Sequence, residues 1–198
     1  MIITVYNEII NSEAVKLQRL VFQKFGQHIN QIKPVKWTGH ANTIDDFLKN
    51  NDWEYIIVFD IDCIPLDEKI IPETIEWVKN NIGLFSVAQN PNHIKNAPDY
   101  ASPAFIAFSK KTYDMLGQPS FAGTNKWDVG GQFTYEASKL GVEVKMMYPS
   151  HVEIPKWLFK DGTRFGIGTT YQNRIYHNFE SRKNKMQGFI NICKKIIG

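Results

Sequence analysis

Asp60-Ile61-Asp62 sets two carboxylates two residues apart, directly after Tyr55-Ile56-Ile57-Val58-Phe59, the most hydrophobic strand-like run of the chain. A continuous β-branched and aromatic run suits a strand buried on both faces. In a parallel sheet the end of such a strand is where ligands bind in open α/β folds. Two like charges there repel, and the arrangement is costly unless a cation or a shared proton offsets it. A divalent ion is the simplest partner. Oxygen donors favour Mg²⁺ or Mn²⁺, ions that commonly bind one or two protein carboxylates together with substrate phosphates. The plainer alternative is a solvated turn, where Asp is common in any case.

The elements that must hold this pair follow from two alternating periodicities. Over residues 1–90 the chain reads β-α-β-α-β-α-β. Ile2 to Tyr6 is a short apolar strand ending in Asn7-Glu8; Ala14, Leu17, Leu20, Val21 and Phe25 recur at helical spacing, and Gly26 stops that helix. Pro34 to Trp37 supplies the second strand, and Ile44, Phe47 and Leu48 the second helical stripe. After the Asp-bearing strand, a helix begins near Pro72, and Leu84 to Val87 is the next strand. Phe105 to Phe108 then follows without a crossover helix, which predicts a mixed sheet. A short helix closes at Gly117, a longer one spans about 132–140, and Val142 to Tyr148 is the last clear strand. Residues 149–168 are irregular and aromatic, and long structureless loops in compact domains are usually functional. They read as a lid or substrate wall, the alternative being a loop packed permanently over the core.

Ile3-Thr4-Val5-Tyr6-Asn7-Glu8, Gly39 ahead of the apolar strand, and Tyr55 through Asp62 together resemble the nucleotide-sugar glycosyltransferases of the GT-A fold, over nearly the whole chain. The resemblance implies a single α/β, Rossmann-like domain with a mixed, centrally parallel sheet flanked by helices. Residues 1–90 would form the nucleotide-sugar half, 91–182 the acceptor half and 183–198 a C-terminal amphipathic helix. In that family the Asp-x-Asp pair holds a divalent metal bridging the donor diphosphate. Carried over, Asp62 is the direct ligand, and Asp60 contacts ribose or a metal-bound water as well as the metal site. Val5, Tyr6 and Asn7 would border base and ribose. His40, after Gly39, and Asp45, where the family pattern has Asn, fall among the nucleotide contacts.

Trp127-Asp128-Val129-Gly130-Gly131 resembles the family's acceptor loop. Asp128 is the candidate base, taking the proton from the attacking hydroxyl. Trp127 would offer a flat face to a pyranose, and Gly130 a close backbone approach. The competing reading has Asp128 capping the next helix and Trp127 in the core; Glu136 is a weaker rival base. In Ile175 through Arg182, His177 resembles the family's third metal ligand, and imidazole suits Mn²⁺ better than Mg²⁺. Arg182 would pair with the diphosphate through its planar fork.

The implied activity is metal-dependent transfer of a hexose from a nucleoside-diphosphate sugar to a hydroxyl of a glycan or lipid-linked acceptor. Inversion is favoured because a base is available. Two alternatives compete: a GT-A-like module that binds nucleotide or glycan without turnover, and a haloacid-dehalogenase-like phosphatase, which also carries Asp-x-Asp after an apolar strand but needs a late acidic cluster missing here. Composition limits the rest. The 198 residues fit one domain, 43% are hydrophobic, and 23 basic against 20 acidic residues give +3. The basic residues are scattered until a late cluster, which argues against nucleic acid as partner. No apolar stretch approaches the ~18 residues that cross a bilayer, and no leader is evident. Cys63 and Cys193 form no disulfide or metal framework, in keeping with a reducing cytoplasm. Met186, Phe189, Ile190, Cys193, Ile196 and Ile197 recur at helical spacing among lysines. Such a basic amphipathic helix could work at a membrane surface or in self-association, or simply pack on the domain.

Overall fold

The computed structural model describes residues 1–7, 9–10, 12–180 and 186–198. A six-stranded sheet runs in the order β2-β1-β3-β6-β5-β7, built from β1 (Ile2–Val5), β2 (Asn30–Ile32), β3 (Tyr55–Phe59), β5 (Gly83–Gln89), β6 (Tyr100–Ser109) and β7 (Glu143–Met147). Every pairing is parallel except those of β6, which runs antiparallel to both β3 and β5. The mixed sheet therefore arises where the crossover helix was missing, and β6 threads between strands of the first ninety residues.

Alternation along β3 divides the core. Ile57 and Phe59 face the side covered by α1 (Ser12–Lys24), α3 (Ile70–Asn80) and α6 (Gln187–Ile197), while Ile56 and Val58 face α2 (His40–Asn50), α4 (Lys110–Met115) and α5 (Gly131–Leu140). Both faces of the strand are thus buried, as its continuous apolar run requires. Pro103 lies in the middle of β6, where a proline removes a ladder hydrogen bond. It is accommodated by a bulge, since the register opposite Ser86 and Val87 jumps from Ile106 to Ser102.

A second sheet, antiparallel and four-stranded in the order β4-β10-β9-β8, is formed by β4 (Cys63–Pro65), β8 (Pro149–Leu158), β9 (Arg164–Tyr171) and β10 (Ile175–His177). It corrects the expectation of an irregular segment over 149–168: the stretch is a long hairpin. Its prolines and glycines serve bulges and a turn. The register slips twice along β8, and Gly162 takes a φ of +87° in the turn. Phe159 and Phe165 from this hairpin pack with Phe179 and Ala88, so the aromatics form a fixed small core. The second strand is also displaced. It falls at Asn30–Ile32 rather than at 34–37, where Val35 is fully exposed. A polar Asn-Gln edge strand carries no apolar alternation, and backbone pairing with β1 makes it a strand.

The C-terminal helix turns its stripe inward. Met186, Phe189, Ile190 and Cys193 are buried in the core beneath the sheet, and Lys194 bridges to Glu13 of α1. The stripe thus packs on the domain, the plainest of the readings offered for it, with Ile196 and Ile197 partly buried at its end. Among the described residues no helix is long and apolar enough to cross a membrane. Phe189 is wholly buried, so Phe189→Ala should lower unfolding free energy by about 3–5 kcal/mol in chemical denaturation. A surface role for the helix would leave stability almost unchanged.

Candidate active site

A cavity of about 410 Å³ opens where the carboxyl ends of β1, β3 and β5 meet the start of the antiparallel β6. Strands β1 and β3 are parallel neighbours, with Thr4 opposite Phe59, so the chain leaving each strand enters the same space. β1 contributes Val5 and then Tyr6 and Asn7; β3 contributes the turn Asp60-Ile61-Asp62. This is the crevice beside the sheet's topological switch, where open α/β folds bind ligands.

Backbone pairing delivers the third donor. After the turn the chain forms β4, which pairs antiparallel with β10 so that Cys63 stands opposite His177. The Asn178 N–H then donates to Asp62 O at 3.0 Å. The His177 imidazole consequently sits against both carboxylates, Nε2 lying 3.3 Å from Asp62 Oδ1 and 3.5 Å from Asp60 Oδ2. Asp62 is 6% and His177 3% exposed. Among the described residues these three alone bring ligand atoms together, all within 4.8 Å of one another. Burial by itself pulls the His177 imidazole down, but the neighbouring Asp62, by charge and hydrogen bond, and then Asp60 outweigh it and hold the pKa above 6.5. His40, in the first turn of α2, places Nε2 3.2 Å from Asp60 Oδ1. That nitrogen is buried and finds no hydrogen-bond partner among the described residues, since the contact lacks hydrogen-bond geometry.

Asp128 enters the cavity from the loop before α5. It is not the cap of that helix. The N-cap is Gly130, in the left-handed region at φ +78°, with no side-chain cap bond. Two donors instead orient the Asp128 carboxylate: its neighbour Val129 N–H at 2.8 Å from Oδ1, and the Tyr100 hydroxyl at 3.1 Å from Oδ2. Burial, followed by the nearby Asp128 charge, pushes the Tyr100 phenol well above its ordinary value, so it remains a donor. Beside it Gln89 reaches the cavity from the end of β5, its Oε1 accepting from Ser102 Oγ at 2.7 Å.

Of the residues named from sequence, Val5, Tyr6, Asn7, His40, Asp60, Asp62, Asp128 and His177 line this one cavity. Asp45, Trp127, Gly130 and the rival base Glu136, which pairs with Lys139, do not line it. The buried Asp45 is occupied elsewhere, accepting from Ser120 Oγ at 2.5 Å and from Phe121 N–H at 2.8 Å, which ties α2 to the loop between α4 and α5. Trp127 is not among the lining residues and has its ring against Tyr135, centroids 4.5 Å apart. Gly130 faces Pro103, whose Cδ would lie 3.0 Å from an added Cβ, so its small size serves packing and an N-cap. Arg182 lies outside the described residues. Sequence reasoning missed Tyr100, Gln89 and Ser102. A Tyr and a Ser in one apolar strand, both near a turn, were the available signal.

No family model matches the chain, and no curated protein matches it. Among solved structures the chain is similar to the mannosyltransferase PcManGT from Pyrobaculum calidifontis, solved in complex with GDP-Man and Mn²⁺, with a TM-score of 0.52 and 10% identity over 73% of this chain and 53% of that one. The fold is of the GT-A type. This chain spans about half the length of that mannosyltransferase. Lower similarity is found to A197 from STIV, at TM-score 0.43 and 9% identity over 82% of this chain and 92% of that one. A glycosyltransferase involved in the glycosylation of the major capsid of PBCV-1 has TM-score 0.43 and 15% identity, over 74% and 81% of the two chains.

The electrostatics of the trio can be read without any ligand. A raised folded-state pKa means that protonated His177 stabilises the metal-free protein fully below the unfolded value of 6.5, and that this contribution fades as pH rises through the folded value. The His177 ring should therefore titrate above 6.5 by NMR in chelator-treated protein. Asp62→Asn should move it down, because burial then dominates. A ring titrating at its ordinary value in both proteins would mean that the carboxylates do not act on it.

Proposed function

We propose that this chain is a metal-dependent glycosyltransferase that moves a hexose from a nucleoside-diphosphate sugar to a hydroxyl of a glycan or lipid-linked acceptor, with inversion at the sugar. The convergence of Asp60, Asp62 and His177 on one edge of the cavity carries this reading. Two buried-edge carboxylates and an imidazole form an O,O,N donor set suited to Mn²⁺, and to Mg²⁺ less well. The buried His40 nitrogen, without a hydrogen-bond partner among the described residues, is a further sign that a cation belongs beside Asp60. The mannosyltransferase of like fold, solved with GDP-Man and Mn²⁺, supports the same ligand class. When bound, the ion would supply positive charge against the departing diphosphate.

The protein's own groups would do the rest. Val5, Tyr6 and Asn7, at the end of β1, flank the base and ribose. Asp128 lines the same cavity, held by Val129 and Tyr100, and takes the proton of the attacking hydroxyl. Because Tyr100 stays protonated, it fixes the carboxylate without competing for that proton. The acceptor approaches past Val129 and Pro103 rather than across Trp127.

Asp62→Asn should leave the fold intact and abolish the Mn²⁺-dependent part of nucleoside diphosphate binding. In the unaltered protein, ligand at one hundred times its Kd adds ~2.7 kcal/mol of stability, which thermal melts resolve. Normal metal-dependent binding and turnover by the variant would remove the metal reading. Asp128→Asn should bind donor as before and slow transfer by roughly two to four orders of magnitude, the range for losing general-base assistance. Unaltered transfer would place the base on another residue.

A further inference from the structure

We infer that Gln18, on α1, is the positioning residue of the Asp60–Cys63 turn, and that Gln31, on β2, sets the orientation of its amide. Gln18 is wholly buried, in the middle of the apolar face formed by Ala14, Leu17, Val21 and Phe22. A primary amide at such a position is costly unless every polar atom is matched. Here each is. Nε2 donates to Asp60 O at 2.8 Å and to Cys63 O at 3.0 Å, so one side chain spans both ends of the turn that carries the two carboxylates. Oε1 accepts from Gln31 Nε2 at 3.0 Å, and the second proton of Gln31 goes to Val15 O at 2.7 Å. A flipped Gln18 would set its oxygen against two carbonyls and its NH₂ against another NH₂, so a single orientation satisfies the set.

The consequence lies at the site. Inside the turn Cys63 N–H donates to Asp60 O, and Asp62 O is held by Asn178 N–H. Gln18 therefore completes a frame in which the backbone under Asp60, Asp62 and His177 is fixed from α1 on one side and β10 on the other. It touches neither cavity nor ligand and acts through the turn. Reading Asp60 and Asp62 as metal ligands rests on the function proposed above; the turn-holding role itself does not.

Gln18→Met keeps the size of the side chain and removes its donors. In metal-free protein, amide hydrogen exchange at Cys63 should speed up by about tenfold or more, as expected for losing two buried hydrogen bonds, while β3 exchanges as before. Mn²⁺ affinity, read by EPR without nucleotide, should fall about 10–100-fold, the usual effect of removing a group that orients a ligand. Thr74→Val, a buried hydroxyl loss in α3 remote from the turn, serves as the stability control and should leave both readouts unchanged. Unchanged Cys63 exchange in Gln18→Met overturns the inference. If the unaltered protein binds no Mn²⁺ while Cys63 exchange still accelerates in the variant, the turn-holding role stands and the metal reading fails. Should Gln18→Met not fold, Gln31→Leu carries the test: it frees the Gln18 amide without touching the turn, and faster Cys63 exchange supports the inference while unchanged exchange overturns it.

Discussion

Two carboxylates and an imidazole meeting within 4.8 Å at the end of a buried strand impose the main constraint on this molecule. Bringing Asp60 and Asp62 together costs electrostatic energy, and burial of Asp62 and His177 raises that cost by removing water. The raised His177 pKa is the response: the carboxylates favour the protonated imidazole against the pull of burial. A bound cation would meet the same demand. Everything near the turn then serves to keep the backbone from relaxing away from this arrangement, from the β4–β10 pairing to the α1 amide beneath.

The order of the strands explains why the demand arises where it does. Placing β1 and β3 side by side and parallel sends both chain ends into one crevice, and the antiparallel β6 returns its own beginning, Tyr100 to Pro103, to the same edge. The bulge around Pro103 shapes that edge, and Asp60 N–H closes it by donating to Ala104 O. The second sheet then carries His177 back to the turn and leaves the aromatic core of the β8–β9 hairpin against Phe179, directly behind the imidazole. Phe179 and Glu180 both adopt φ near +50°, a conformation that non-glycine residues reach only when surroundings hold them. Trp157 and Phe165 pack on Phe179, and Lys156 pairs with Glu180, which is that hold.

The sequence by itself determined what depends on neighbours along the chain. The buried strand at 55–59, the Asp pair that follows it, the helices marked by apolar stripes, and the glycine stops at Gly26, Gly117 and Gly141 were all legible, because periodicity and φ preference are local properties. A mixed sheet was legible too, from the missing crossover before β6. Only the tertiary structure decided which remote groups meet. Asp45 looked like a nucleotide contact and became a tie to Ser120 and Phe121; Trp127 looked like a sugar platform and stacks on Tyr135. Tyr100 reaches Asp128, and Gln18 reaches the turn, through bonds that no spacing in the chain announces. The hairpin at 149–171 and the edge strand at 30–32 were hidden for a related reason. The exposed β8 and the polar β2 become strands through backbone pairing rather than side-chain burial, and the glycines among the buried residues of β9 leave no apolar alternation to read.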